Sequence, residues 1–332
     1  HVENSVSNLE RKLIAFGFGQ EDIDKTIIPM ATAGQEPVAA MGNDTPLSVI
    51  SDRPQILFNY FRQQFAQVTN PAIDPIREEL VMSLTEYIGA VGTNILTPDA
   101  SNCKMVRLPQ PVLTNTQLDI LCNIRYKGFR TKKLSMVVAP PSVPEGATID
   151  NAGEALRVAL DKLCKDAEAS VDEGVNYIIL TDKTIDAPSG AVEGAAGETW
   201  FFIPSLLAVS AVHHYLISVG KRVQTALIVE SGEIREVMHA ALLLGYGASA
   251  ICPYMTFAVL DDLVKKHKIQ EDYATAESHY IKAVDKGLKK IMSKMGISTI
   301  RSYRGAKIFE SIGLSEDLLK RYFGTEVSTI GG

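Results

Sequence analysis

Two polar pairs stand at the ends of two apolar runs, and they are the first residues in this chain that could do chemistry. Asp182-Lys183 follow Tyr177-Ile178-Ile179-Leu180, and Glu230-Ser231 follow Ala226-Leu227-Ile228-Val229. Both runs are short, continuous and rich in β-branched residues, which suits strands covered on both faces. Where such strands run parallel, ligands bind in the loops that leave their C-terminal ends. A lysine ammonium there could hold a phosphate, and a carboxylate could take a proton or orient a hydroxyl. Asp182, Lys183, Glu230 and Ser231 therefore form one candidate site, for a phosphorylated ligand. The plainer reading makes Asp182 and Lys183 a solvated loop pair, and lets Glu230 and Glu233 favour the positive end of the helix that follows.

A second candidate is Thr69-Asn70. Pro71 and Pro75 drive the residues before them out of helical angles, so 67–74 reads as a stiff extended loop. Ordinary turn chemistry accounts for the two polar side chains. A polar cavity wall is the sharper alternative.

The other reactive side chains assemble no complete active site. Of the six histidines, His213 and His214 are neighbours on a helix and point about 100° apart, a poor geometry for sharing one metal; packed, hydrogen-bonded rings are expected. Cys103, Cys122, Cys164 and Cys252 are scattered with no CxxC pair, as buried reduced thiols of a cytoplasmic protein would be. A zinc or iron–sulfur site would need them clustered. Gly190, Gly194 and Gly197 lack the spacing of a nucleotide fingerprint, and no HExxH, GxSxG or P-loop pattern occurs.

The elements that must position these groups are clearest over 204–253. Pro204 opens a mostly apolar, largely buried helix through 217, and a strand is expected over 223–229. A helix with Ile234, Val237, Met238, Ala241 and Leu242 on one face follows, then a strand over 248–252. Earlier in the chain, a strand is expected over 134–138, a long amphipathic helix over 152–173 and a strand over 177–180. An aromatic helix is expected from Ile56 through Leu57, Tyr60, Phe61 and Phe65, and a short strand over 47–50. Helices are further expected over 116–126, 257–267 and 279–295, with a last one capped by Ser315. Strands alternating with helices predict an α/β fold with a mostly parallel sheet, an incomplete (β/α)-barrel-like unit with helical N- and C-terminal arms.

The chain has 332 residues, 46% of them hydrophobic, and a formal net charge of −6. That supports a sizeable core and argues against nucleic-acid binding by bulk electrostatics. No run is long and apolar enough to span a membrane. The first residue is His1 and the last are Gly331-Gly332, which suggests a segment of a longer polypeptide.

Long ordered stretches resemble the central domain of the glutamate synthase large chain. They include Pro37-Val38-Ala39-Ala40-Met41-Gly42-Asn43-Asp44-Thr45-Pro46-Leu47, Ser51-Asp52-Arg53-Pro54 and Gln67-Val68-Thr69-Asn70-Pro71. Asp74-Pro75-Ile76-Arg77-Glu78-Glu79, Leu244-Gly245-Tyr246-Gly247-Ala248 and Ser302-Tyr303-Arg304-Gly305-Ala306 continue the likeness. The resemblance implies a parent enzyme that hydrolyses glutamine in an N-terminal glutaminase domain. Its ammonia passes through an internal tunnel to an FMN-binding barrel with a 3Fe–4S cluster, and 2-oxoglutarate is aminated there. It implies that residues 1–270, with 1–50 as a linker arm, form the central α/β domain, and that 271–332 lead as a helical segment toward the FMN domain. By motif, the tunnel-lining role falls on Thr69 and Asn70. The implied partners are the glutaminase and FMN domains of the same chain and a small electron-transfer subunit or ferredoxin. No cofactor is expected on this segment itself. The rival expectation is an autonomous enzyme using Asp182, Lys183, Glu230 and Ser231.

Overall fold

Strands with apolar side chains on both faces need cover on both faces, and that requirement sets the middle of the molecule. The computed structural model describes residues 9–38, 46–64, 73–90, 96, 99–126, 128–138, 149–183, 201–324 and 330–331. In chain order, the first elements are α1 (Leu9–Ala15), α2 (Ile28–Ala33), β1 (Phe61–Gln63), α3 (Glu78–Val81), β2 (Glu86–Gly89), β3 (Met105–Leu108) and α4 (Asn115–Cys122). The central ones are β4 (Thr131–Ser135), β5 (Val137–Val138), α5 (Ile149–Asp172), β6 (Tyr177–Thr181), β7 (Phe201–Phe202), α6 (Ser205–Ser218), β8 (Ala226–Glu230), α7 (Val237–Gly245) and β9 (Ala250–Cys252). The last are α8 (Tyr254–Lys265), α9 (Tyr273–Met295), α10 (Ile300–Tyr303), β10 (Phe309–Ser311) and α11 (Glu316–Leu318).

A parallel sheet in the order β4-β6-β8-β9 forms the centre. Every residue of β6 and β8 is buried, as continuous apolar runs demand, whereas Lys132 and Lys133 sit on the half-covered edge strand β4. The other edge is closed by the extended segment at 111–113. Ile251 N–H donates to Pro111 O and Leu113 N–H to Ile251 O, each at 2.8 Å. The α/β class with a parallel sheet thus stands as the sequence implies. One hydrophobic core runs from Phe16 to Phe323 and includes both the sheet and the C-terminal helices. Among the described residues, no helix is long and apolar enough to cross a membrane.

Three local expectations are corrected by long-range pairing. The aromatic stretch from Ile56 is not a helix: Leu57–Tyr60 make one 3₁₀ turn and Phe61–Gln63 a strand, antiparallel to β10. Phe61 is buried against Tyr246 and Phe323, a tertiary reward that local periodicity cannot report. The strand expected over 134–138 breaks at Met136. Its first part pairs with β6, and Val137–Val138 pair antiparallel with Phe201–Phe202. The expected strand at 47–50 contains a 3₁₀ turn, Ser48–Ile50. Other boundaries follow capping: Thr114 forms a capping box with Gln117, Asp272 accepts from Thr275 N–H at 2.8 Å, and Ser315 caps α11.

The N-terminal arm lies across the C-terminal edge of the sheet. Phe16 is 6% exposed and packs between Phe202, at 4.7 Å between ring centroids, and Tyr254, at 6.3 Å. Its seat exists because residue 232 has no side chain. A Cβ there would stand 2.6 Å from Phe16 Cε2 and 2.8 Å from Met255 Cγ. Methionine can yield, but a ring wedged between two others cannot. Gly232→Ala is therefore expected to cost about 1–3 kcal/mol in denaturant unfolding. In a Phe16→Ala background the methyl has room, and the same change should cost under about 0.5 kcal/mol. Equal penalties in the two backgrounds would show that Phe16 is not what fills this notch.

Candidate functional site

The strand ends bring Asp182, Glu230 and Ser231 together, as their placement in the sequence implies. The register sets Thr181 beside Glu230 and Glu230 beside Cys252. Asp182 and Ser231 each lie one residue beyond, and the Ser231 hydroxyl donates to Asp182 Oδ2 at 2.5 Å. Gly232 N–H lies 3.0 and 3.1 Å from the two Asp182 oxygens, and the Tyr254 hydroxyl bonds the same carboxyl. Glu230 accepts from Thr181 Oγ1 at 2.8 Å and pairs with Lys133 Nζ at 3.0 Å. Burial opposes the charge on Lys133, but Glu230 outweighs it and the ammonium pKa rises.

Lys183 does not join this cluster. Its side chain is exposed and its ammonium stands 5.5 Å from the Tyr254 ring centroid. The arm brings Lys12 toward it, and burial together with the Lys183 charge lowers the Lys12 pKa. Thr69 and Asn70 lie outside the described residues.

Two further residues complete the edge. Glu233, 3% exposed, accepts from Ser205 N–H at 2.7 Å and Ser205 Oγ at 2.6 Å. Pro204 offers α6 no side-chain cap, so a carboxylate from a distant loop serves instead. Arg235, 4% exposed, donates to the carbonyls of Phe16, Gly17 and Glu233. Its Nε pairs with Asp22 at 3.1 Å, and the guanidinium lies 4.6 Å from the Phe18 ring centroid. The sequence reading did not single out Arg235. An arginine beside Ile234, set among Glu233 and Glu236 at the start of a buried apolar helix, is the signal that could have found it.

Among the described residues, the protein's own side chains take up two backbone donors of this edge. Gly232 N–H and the N-terminal amide of α6 are two backbone donors that could cradle an anion. Asp182 occupies the first and Glu233 the second. Burial pushes the Asp182 carboxyl up to about 7, against the hydrogen bond from Ser231 and with the nearby Glu233 charge. Burial likewise raises Glu233, with the Ser205 hydrogen bonds opposing it.

The histidines are hydrogen-bonded and part from each other. Nδ1 of His213 accepts from Arg222 Nε at 2.8 Å, and Nδ1 of His214 lies 2.9 Å from Ser210 O. Cys164 and Cys252 are buried, and burial lifts the Cys164 thiol to about 12 and Cys252 well above its usual range. Cys103 differs from expectation in being exposed. Among the described residues, no group of three or more His, Cys, Asp or Glu side chains is placed to hold a metal ion.

Residues 11–315 match the family described as the glutamate synthase central domain. The chain is 42% identical over 330 residues to the glutamate synthase (NADPH) large chain of Bacillus subtilis, covering 99% of this chain and 20% of that one. It is 41% identical over 343 residues to ferredoxin-dependent glutamate synthase 2 of Synechocystis, again covering 99% and 20%. Glutamate synthase (NADH) of Schizosaccharomyces pombe is 38% identical over 327 residues, with 97% and 14% covered. The chain thus spans about a fifth or less of the length of these relatives. Among solved structures, a mutant of the active chimera of (S)-mandelate dehydrogenase matches with a TM-score of 0.40 and 11% identity, over 76% of this chain and 88% of that one.

The Asp182 carboxyl gives the edge a pH signature. An aspartate in the unfolded chain titrates near about 3.9. The folded carboxyl titrates at about 7, so the folded state holds the extra proton between these values. Stability must then fall as pH rises through that window and level off above it. Between pH 5 and pH 8 this group should remove about 2–3 kcal/mol from the unfolding free energy. Asp285, also raised to about 7 by burial, adds a slope of the same sign. Asp182→Asn keeps an acceptor for Gly232 N–H and should flatten its own share of the slope. Urea midpoints at the two pH values check this, and parallel slopes in both proteins would clear Asp182 of the effect.

Proposed function

Because this chain belongs to the glutamate synthase central-domain family, we propose that it serves as the connecting domain of a glutamate synthase large chain. In this reading it links a glutaminase domain to an FMN-binding domain and lines part of the ammonia tunnel with Thr69 and Asn70. Residues 271–332 lead toward the FMN domain. The electron-transfer subunit or ferredoxin, the FMN and the 3Fe–4S cluster belong to the rest of the assembly, in the cytoplasm.

Coverage is the observation that carries this proposal. One family accounts for 11–315, while whole relatives are about five times longer. The chemistry of the sheet edge supports it. A flavin or sugar phosphate needs free amide donors and positive surroundings. Here the amides are taken by Asp182 and Glu233, with Glu230 buried beside them and Phe16 packed across the edge. Among the described residues, those at the strand ends do not favour FMN, and the scattered cysteines do not favour a cluster. The same features weigh against the autonomous phosphate-binding enzyme built on Asp182, Lys183, Glu230 and Ser231.

The tunnel role has a physical rationale. Ammonia must stay neutral and away from bulk water, and hydroxyl and amide groups can pass it along without fixing it as ammonium. In the full-length enzyme, Thr69→Leu with Asn70→Leu should leave glutamine hydrolysis within about twofold, while glutamine-dependent glutamate formation falls about tenfold. The missing nitrogen should appear as free ammonia in the medium. A hydrolysis-to-synthesis ratio unchanged from that of the parent enzyme would remove both residues from the tunnel.

A further inference from the structure

Asp74 organises a short coil that turns apolar side chains toward solvent. Its Oδ1 accepts from Ile76 N–H and Arg77 N–H, each at 3.0 Å, and its Oδ2 pairs with Arg77 Nε at 3.1 Å. The backbone then coils through α3, with Glu78 N–H donating to Asp74 O at 3.1 Å and Val81 N–H to Arg77 O at 2.9 Å. Ile76 and Leu80 are four residues apart and therefore share one face of the coil. They are 92% and 87% exposed, and Val81 beside them is exposed as well. From this geometry we propose that Ile76 and Leu80 form the apolar centre of a docking surface whose occupant is the FMN-binding domain of the same full-length polypeptide. The inference deepens the connecting role proposed above and rests on it.

Three observations carry it. First, the coil is pinned to the body of the domain. Glu78 Oε1 accepts from Ser293 Oγ at 2.8 Å, Ser83 N–H donates to Ser298 O at 2.8 Å, and Ile300 N–H donates to Ser83 O at 3.1 Å. Met82 and Leu84, just beyond, are buried. A single exposed aliphatic side chain is ordinary. A pair at i, i+4 on a pinned coil is a fixed apolar surface, and covering it orders little backbone that is not already ordered. Second, the surroundings have the character of an interface rim. A cleft of about 590 Å³ lies beside Ile76, and Glu36, Glu79, Lys286 and Lys290 are among the residues that line it. Among the described residues none of these four forms an ion pair. Charges of both signs around an apolar centre suit a protein surface, where each can meet its opposite at the rim. A phosphate or a metal ion would want one sign alone.

Third, position selects the occupant. The hydrogen bonds that pin the coil come from Ser293, Ser298 and Ile300, and Lys286 and Lys290 belong to α9. All of these lie within 271–332, the segment that leads toward the FMN domain in the reading above. The coil and the C-terminal half of α9 are therefore one continuous surface, and a domain reached through that segment meets it. Most of the length of each relative lies outside the part matched by this chain, so a partner within the same polypeptide is available.

The test uses the full-length enzyme. With a photoreactive benzoylphenylalanine in place of Ile76, irradiation and peptide mass spectrometry should map the cross-link to the FMN domain of the same polypeptide. In a second variant, Leu80→Cys should react with N-ethylmaleimide at least about tenfold more slowly than the same cysteine in the urea-unfolded chain. Adding Ile76→Asp places a charge in the covered surface and should speed that labelling about fivefold or more. Both positions face solvent in this domain, so these changes leave its core intact. A cross-link to the glutaminase domain or to a second copy would overturn the proposal, as would labelling of Leu80→Cys at the unfolded rate. Bound FMN in the same preparations separates the two levels of the argument. An enzyme without flavin removes the connecting-domain reading and this inference with it, whereas a flavin-bearing enzyme with an unprotected Leu80→Cys removes this inference alone.

Discussion

A guanidinium cut off from water dictates the arrangement around it. Arg235 carries a full charge into a place where 4% of its surface meets solvent. Such burial costs several kcal/mol unless its donors and its charge are met. The arm meets the charge and the terminal donors: the carbonyls of Phe16 and Gly17 accept from the guanidinium, and the carboxylate of Asp22 and the face of Phe18 lie against it. The arm is therefore required by the core rather than draped on it. Once it is held, Phe16 has to occupy the notch at Gly232, and the C-terminal edge of the parallel sheet is closed.

Closing that edge changes what its polar groups can do. In a ligand-binding α/β protein, free amides at a strand end and a helix N-terminus wait for an anion. Here Asp182 takes the Gly232 amide and Glu233 takes that of Ser205, so protein carboxylates stand where a phosphate would. The charge of Glu233 also helps to raise the Asp182 pKa, and Lys133 neutralises Glu230 from the neighbouring strand. The result is a polar layer satisfied from within, covered by aromatic rings.

How far this could be read from the sequence depends on the range of the interactions involved. The long amphipathic helix before Gly174, the buried strands β6 and β8 and the parallel sheet all follow from local pattern, since continuous apolar runs admit few other settings. The meeting of Asp182 with Ser231 was also legible, because parallel strands in register bring their ends together. Their role was not. Nothing local says that Ser231 would spend its hydroxyl on Asp182, or that Phe16, more than 160 residues earlier in the chain, would cover both. The pairing of β1 with β10 escaped for the same reason, since partners some 250 residues apart leave no periodic trace. Arg235 stood in plain view, but its meaning lies in partners that only the fold supplies.

Self-satisfaction at the sheet edge bears directly on a connecting role. A site that binds and releases a ligand needs at least two arrangements of comparable free energy, one filled and one hydrated. The edge described here has no easily reached second arrangement. To open it, Arg235, Asp182 and Glu233 would all have to lose buried partners at once, and each loss leaves a desolvated charge or donor behind. Such an element holds its shape whether or not anything is bound nearby. In the connecting role proposed above, two catalytic domains passing a small neutral molecule between them would need a fixed separation more than a third reactive centre, and a sheet edge held by these buried contacts suits that need.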